Sequence, residues 1–82
     1  MEKKEELTNT ELTILEIISD HRTIHRIMIM GQMQEINKIT GQDFDNALFR
    51  RSLLRLEKID YIKRLLTDDN TFKITEKGKE IL

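Results

Sequence analysis

The fold is predicted by one stretch of sequence, LLRLEKIDYIKR, which occupies residues 53–64. Leu53 and Leu56 share a helix face with Phe49 one turn earlier, because residues three and four apart are neighbours on a helix. Asp60 then stands where this helix should stop in a left-handed turn, a conformation that Asp tolerates. The aromatic and β-branched residues that follow are typical of a strand. The stretch therefore predicts an amphipathic helix, helix 3, that runs directly into a basic strand.

The C-terminal part of the chain predicts a second strand and a short helix. Residues 62–66 form the first strand, and the polar run TDDNT at 67–71 is rich in side chains that bond their own backbone in turns. The sequence FKITEKGKEIL at 72–82 begins as a returning strand and becomes a helix that Thr75 can cap. These features predict a two-stranded wing followed by a short C-terminal helix.

The first helix has a clear start. Thr8 with Glu11 three residues later is a capping box, and the helix should run to about Ser19 with Leu12, Leu15 and Ile18 on one stripe and Ile14 beside it. We expect residues 1–7 to be a charged segment that is either disordered or an extension of this helix. Residues 8–82 then form one domain.

The segment 22–31 fits two structures, a short strand followed by a helix or one continuous helix. We favour a helix 2 that begins at Ile24 or Ile27 and ends near Ile39. Gly31 weakens that helix by about 1 kcal/mol relative to Ala, so a kink or break there stays open. Residues 40–42 form the turn to helix 3, which we expect at about 43–59. The methionines Met28, Met30 and Met33 are interpreted as gap-filling core residues.

Composition places the chain among small soluble domains. It has 82 residues, of which 38% are hydrophobic and 35% charged. A chain of this size buries only roughly 60–65% of its unfolded surface, so its stability margin should be small. It has no cysteine, which excludes a disulfide framework and a thiolate metal site. It shows no signal peptide and no apolar run of roughly 18 residues, so we expect a cytoplasmic protein without a membrane span.

The charge is unevenly distributed although the net charge is only −1. Residues 1–20 hold two bases against six acids, and residues 67–82 hold three bases against four acids. Between them, residues 21–66 hold nine bases against five acids, a net of +4. A local patch rather than the total charge decides phosphate binding, so the middle of the chain is the candidate for a nucleic-acid surface.

The order of elements resembles a winged helix-turn-helix domain of bacterial and archaeal transcription regulators. At the residue level the chain is similar to the PadR and MarR families, through ALFRRSLLRLEKIDYI at 47–62, FKITEKGKEIL at 72–82 and LTILEIISDHRTIH at 12–25. The resemblance implies a mostly α protein with a small β-hairpin (α+β), in which a three-helix core carries a two-stranded wing and a short C-terminal helix. It also implies sequence-specific binding of double-stranded DNA by a small transcriptional regulator, with a homodimer as an open possibility. The small size suits a compact genome such as that of a phage, archaeal virus or plasmid.

Helix 3 is expected in the major groove and the wing, residues 62–74, near the DNA backbone. On a helical wheel Ala47, Leu54 and four basic residues face outward, with no acid among them. Of these, Arg50 and Arg51 are best placed for base edges, whereas Arg55 and Lys58 suit phosphates. The predicted DNA contacts are Gln42, Asn46, Arg50, Arg51, Arg55, Lys58, Lys63, Arg64 and Lys73.

Other functions find less support in the sequence. The acidic first twenty residues and the pair Asp68 and Asp69 at the wing tip favour an alternative, a winged helix that binds a protein and not DNA. His21 and His25 are four residues apart, but no third ligand accompanies them, so no metal site is predicted. A Gly-rich phosphate loop and a cysteine nucleophile are both missing from the sequence. We expect no enzyme activity, no cofactor and no small-molecule ligand.

Overall fold

The computed structural model describes residues 6–82, and residues 1–5 of the predicted N-terminal segment lie outside this part. The described elements are, in chain order, α1 (Asn9–Ser19), β1 (Ile24–His25), α2 (Arg26–Thr40), α3 (Asn46–Lys58), β2 (Ile62–Leu65), β3 (Asp68–Ile74) and α4 (Glu76–Ile81). The strands form one antiparallel sheet in the order β1-β3-β2. The predicted α+β class is confirmed, and a third short strand joins the two strands of the wing.

Helix α1 begins at the predicted capping box. The Thr8 hydroxyl accepts a hydrogen bond from the Glu11 backbone N–H at 3.1 Å, and the Glu11 carboxylate accepts one from the Thr8 N–H at 2.8 Å. The apolar residues that α1 buries are Ile14, Leu15, Ile17 and Ile18. Leu15, Ile18 and Ile14 are buried as predicted, whereas Leu12 is only half-buried and Ile17 is buried in its place.

The ambiguous segment resolves into a short strand followed by a helix. Ile24 lies in β1 and pairs with Phe72 in β3, so the helix does not begin at Ile24. His25 then caps α2, because its Nδ1 atom accepts a hydrogen bond from the Ile27 N–H at 3.1 Å. Helix α2 continues without a break through Gly31.

The core prediction for the methionines of α2 holds only in part. Met33 is buried and Met30 packs partly buried against the core. Met28 is 57% exposed, so its prediction as a core residue is wrong. The reason is helix phase, since Ile29 takes the core-facing position beside it.

The connection from α2 to α3 is a glycine-capped turn. Gly41 has a φ of 74°, in the left-handed region that glycine adopts without a steric penalty. The Gln42 N–H donates to the Asn37 carbonyl at 2.8 Å and so satisfies the end of α2. Helix α3 starts at Asn46 and not at the predicted Asp43, because Asp45 is the cap and accepts a hydrogen bond from the Leu48 N–H at 3.1 Å.

Helix α3 buries the predicted face. Its buried residues are Phe49, Ser52, Leu53 and Leu56. Leu48 lies at the edge of this buried arc and is 37% exposed. The helix ends at Lys58, and Asp60 just beyond it has the predicted left-handed conformation, with a φ of 67°.

The wing differs from its prediction at the tip. The turn consists of Leu66 and Thr67, and the strand β3 already begins at Asp68. Arg64 pairs with Phe72 whereas Leu65 pairs with Asp68, so residues 69–71 form a bulge. The Asp68 carboxylate holds this bulge by accepting hydrogen bonds from the Asn70 N–H at 2.9 Å and the Thr71 hydroxyl at 2.7 Å. Both hydrogen bonds lower the pKa of the Asp68 carboxyl group below its ordinary value, and the bond from the Asn70 backbone contributes more than the bond from Thr71.

Helix α4 closes the fold against the start of β2. Thr75 caps it by accepting a hydrogen bond from the Gly78 N–H at 3.0 Å. A Cβ atom at Gly78 would lie 2.3 Å from the Tyr61 carbonyl oxygen, so only glycine permits this approach. The core between the helices and the sheet is centred on Phe49, Leu56, Tyr61 and Ile62, with the residues of α1 named above.

Candidate nucleic-acid interface

One side of α3 faces away from the core and is basic. Arg50, Arg51, Leu54 and Lys58 are all exposed on this side, where the helical spacing predicted them. Within residues 6–82, no ion pair engages Arg50 or Arg51. Their guanidinium groups are therefore available to a ligand, and each offers the planar fork of donors that suits a phosphate or a guanine edge.

A cleft of about 210 Å³ lies beside this side of α3. Three elements contribute to it: the first residue of α2, the middle of α3 and the wing. Its lining residues are Arg26, Arg50, Leu53, Leu54, Arg64, Asp69, Asn70 and Phe72. Three guanidinium groups thus surround one opening that holds a single carboxylate, which makes the cleft electropositive.

Arg64 is the most firmly positioned of the three cleft arginines. Its Nε donates to the Glu57 carboxylate at 2.9 Å, and its guanidinium carbon lies 5.5 Å from the centre of the Phe72 ring. A guanidinium over an aromatic face is attracted by the ring quadrupole. Its Nη1 also donates to the Asp69 carbonyl at 3.5 Å. The side chain remains 38% exposed, so its other donors can still reach a ligand.

Arg26 is a cleft residue that the sequence analysis did not identify. It directly follows the cap His25 and begins α2, within the segment whose structure the sequence left open. Pairing of β1 with β3 brings this end of α2 to the wing. The available signal was a basic residue at the start of a helix, which is too common to single out a site.

Arg55 lies in a different environment from the other arginines of α3. Its Nη1 donates to the Glu11 carboxylate of α1 at 2.5 Å, and its Nη2 donates to the Glu6 carbonyl at 3.0 Å. Glu11 is only 3% exposed. The prediction that Arg55 faces outward is therefore wrong, because a buried carboxylate on α1 draws its side chain to the other edge of the helix.

The ion pair changes the titration of Glu11. Burial by itself would raise the pKa of this carboxyl group. The hydrogen bond from Arg55, the bonds from Thr8 and the positive charge of Arg55 act in the opposite direction and together prevail. The pKa of Glu11 thus lies below its ordinary value of 4.5, and the group stays ionised near neutral pH.

Comparison with solved structures finds a protein of similar fold. The structure of RosR from H. salinarum aligns with a TM-score of 0.71 over 92% of this chain and 66% of RosR, at 17% sequence identity. The chain has the winged-helix fold. No family model and no curated protein matches the sequence.

Five of the other predicted DNA contacts lie outside the cleft. Gln42 lies exposed in the turn before α3, while Asn46 and Lys58 are exposed at the two ends of that helix. Lys63 and Lys73 are cross-strand partners on the wing. Because side chains alternate along a strand, these two lysines lie on the opposite face of the sheet from Arg64. The structure therefore brings Arg50 and Arg64 together and separates them from the lysine pair.

The helices described within residues 6–82 are short. Over residues 6–82, none has the length and apolar character that crossing a bilayer requires. The same residues contain no group of three or more His, Cys, Asp or Glu side chains arranged to hold a metal ion.

Proposed function

We propose that this chain binds double-stranded DNA as a small transcriptional regulator, with α3 in the major groove and the wing near the adjacent backbone. The observation that carries the proposal is the convergence of Arg26, Arg50 and Arg64 on one cleft beside the exposed side of α3. A guanidinium group binds phosphate through two parallel hydrogen bonds. Two such groups on the elements that flank α3, Arg26 and Arg64, would fix the register of a DNA backbone against the recognition helix, with Arg50 between them.

The position of each residue suggests its role. Arg50 and Arg51 lie in the first half of α3, the part of a recognition helix that reaches base edges. Arg26 and Arg64 flank the helix and suit phosphates. Lys58, at the far end of α3, is a further phosphate candidate. Gln42 and Asn46 precede or begin α3 and offer amide groups that can pair with adenine.

Two of the predicted contacts take other roles in this proposal. Arg55 acts as a positioning residue that ties α3 to α1, since its donors bind Glu11 and the Glu6 carbonyl. The lysine pair Lys63 and Lys73 would approach DNA only through the outer face of the wing. Sequence-specific recognition, a cytoplasmic location and membership of the PadR or MarR families belong to the same proposal, and the family assignment depends on the segments 12–25, 47–62 and 72–82.

The test is a titration of fluorescent duplex DNA at several salt concentrations. The variant Arg26→Ala should bind more weakly, and the slope of log K against log salt should fall by about 0.9 for the phosphate contact removed. Lys79→Ala is the control, because Lys79 carries the same charge and does not line the cleft. Equal losses of DNA affinity in both variants would mean that binding depends on the net charge of the chain and not on the cleft.

A second candidate function is favoured by the wing tip. Leu66 is fully exposed in the turn, and the acidic pair Asp68 and Asp69 follows it directly. An exposed large apolar side chain beside carboxylates suits a protein partner better than a phosphate backbone. The same titration separates the two functions, because an interaction module should show no binding to random duplex DNA even at low salt.

A further inference from the structure

His25 stands between β1 and α2 and bonds to the helix through its ring. Its Nδ1 atom accepts a hydrogen bond from the Ile27 backbone N–H at 3.1 Å, which makes the imidazole the N-cap of α2. The residues that usually cap helices are Ser, Thr, Asp and Asn, whose acceptor oxygens stay available at any pH above about 4. A histidine cap differs from these, because imidazole is the side chain that gains a proton between about pH 5 and 8.

A protonated imidazole cannot serve as this cap. Both ring nitrogens of an imidazolium carry a proton and act only as donors. The Nδ1 proton would then face the Ile27 N–H, and the new positive charge would lie against the positive end of the helix dipole. Arg26, the first residue of α2, and Arg22 in the preceding loop are the nearest cations along the chain and add to this repulsion. The cap therefore exists only in the neutral state.

A second partner for the charged ring lies on the neighbouring strand. His25 pairs with Thr71 of β3, so the two side chains share one face of the sheet. The Thr71 hydroxyl donates to the Asp68 carboxylate at 2.7 Å. The bonds from Asn70 and Thr71 lower the pKa of this carboxyl group first, and the charge of His25 acts in the same direction. Lys73, two residues beyond Thr71 on the same face, opposes a positive charge on His25.

We propose that His25 is a pH-sensitive switch between the first turn of α2 and the wing. The neutral ring caps α2 through Nδ1, whereas the protonated ring leaves the cap and donates to the Asp68 carboxylate. In the first state Asp68 bonds only to Asn70 and Thr71, which hold the bulge. In the second state the carboxylate is divided between the bulge and the imidazolium. Acidification therefore loosens the start of α2 and the bulge together.

Both partners of His25 lie beside residues of the arginine cleft. Arg26 directly follows the cap, while Asp69 and Asn70 belong to the bulge that Asp68 holds. All three line the cleft. Loss of the cap releases the turn that carries Arg26 to the opening. This consequence for DNA rests on the proposed function, whereas the switch is a property of the folded chain alone.

Nuclear magnetic resonance between about pH 8 and 5 tests the switch without DNA. The Ile27 amide resonance should move with the same midpoint as the ring resonances of His25. The protection of this amide against hydrogen exchange should fall about fivefold, a typical effect of losing an N-cap. The Asn70 amide should respond at the same midpoint, because Asp68 changes partners. An Ile27 amide that stays unaffected while the His25 ring titrates would overturn the proposal.

His25→Asn is the matched variant, because the Asn side-chain oxygen caps helices and does not titrate in this range. It should keep the Ile27 amide equally protected at both ends of the pH range. His21→Asn is the control, since it removes the other histidine of the chain and leaves the cap in place. If the Ile27 amide still responded to pH in His25→Asn, or lost its response in His21→Asn, the switch would not lie at His25.

Asp68→Asn tests the second partner. The amide has nearly the shape of the carboxylate and no charge, so the imidazolium loses an attraction that favours its charged form. The midpoint of the Ile27 response should therefore move to lower pH. A midpoint equal to that of the parent chain would mean that the released ring has no partner on the wing, and would contradict the exchange between two partners.

The effect on DNA is measured as the loss of affinity caused by Arg26→Ala at both ends of the pH range. Comparing each variant with its own parent at one pH cancels the general gain in affinity that comes with positive charge. The loss should be smaller at the acidic end, and it should be equal at both ends in the His25→Asn background. A loss independent of pH in the parent background would overturn the link between the switch and the cleft. If the chain binds no DNA at either pH, the proposed function is wrong, and the Ile27 amide by itself decides whether the switch exists.

Discussion

The two edges of α3 carry arginines that look alike in sequence and differ in environment. On the edge that faces α1, Arg55 is bonded to the buried Glu11 carboxylate. On the edge that faces the cleft, Arg50 is exposed and lies near Arg26 and Arg64. The difference shows that neighbouring basic residues on a helix need not belong to the same surface. A buried carboxylate on a neighbouring helix decides which arginine stabilises the fold and which is available to a ligand.

The largest expected effect is a loss of stability when a core residue beneath both edges of α3 is truncated. Leu56→Ala removes a fully buried side chain and should lower the free energy of unfolding by about 2–5 kcal/mol. Urea denaturation measures this directly. Leu54→Ala, one exposed position on the same helix, is the control and should stay within about 0.5 kcal/mol of the parent. Similar values for both variants would mean that the helix does not pack as described.

The comparison of the two edges predicts opposite effects for two arginines. Arg55→Ala leaves the Glu11 carboxylate without its cation and should cost about 1–3 kcal/mol of stability, towards the lower value because the Arg55 side chain is 39% exposed. Arg51→Ala should leave stability within about 0.5 kcal/mol. It should instead weaken DNA binding by about 1–3 kcal/mol if it reads a base. Thermal melting and DNA titration of both variants measure the two quantities.

Two results would contradict that contrast. If Arg55→Ala reduced DNA affinity as strongly as Arg51→Ala without loss of stability, the ion pair with Glu11 would not restrain Arg55 in solution. If Glu11→Gln added to Arg55→Ala produced the full sum of the single costs, the two side chains would not be energetically coupled.

The ion pair should also show itself in the pH dependence of stability. Because the pKa of Glu11 is lowered in the folded state, its contribution is fully present above the unfolded value near 4.5 and is lost as pH falls through the lower folded value. Melting temperatures measured from neutral pH into this acid range should therefore fall less steeply for Glu11→Gln than for the parent chain. Parallel curves would mean that folding leaves the pKa of Glu11 unchanged.

The smallest effect is expected at the wing, where two adjacent carboxylates differ. Asp69 lines the cleft, so Asp69→Asn should tighten non-specific DNA binding modestly, and most at low salt where screening is weak. Asp68 instead holds the bulge through Asn70 and Thr71. Asp68→Asn keeps its side-chain shape and serves as the control, with a smaller change in affinity because the charge is directed at the bulge. If Asp68→Asn increased DNA affinity more than Asp69→Asn, the wing would lie against DNA in a different orientation.

The sequence by itself determined the features that arise from neighbouring residues. The capping box of Thr8 and Glu11, the left-handed stop at Asp60 and the buried face of α3 all depend on contacts within one or two helical turns. Side-chain spacing and backbone preference are local quantities, so a linear pattern reveals them. Where a local signal was weak, as in the segment 22–31, the sequence left two structures open.

Only the tertiary structure decided which of these residues meet across the fold. Arg55 and Glu11 are 44 positions apart, and no local pattern distinguishes this pair from Arg51 with any other acid. The pairing of β1 with β3 brings Arg26 to Arg64, and the bulge at 69–71 places Asp69 in the cleft and Asp68 outside it. The physical reason is that burial and charge pairing depend on the packing of whole elements. The helices were therefore predicted from sequence, whereas the composition of the candidate site was not.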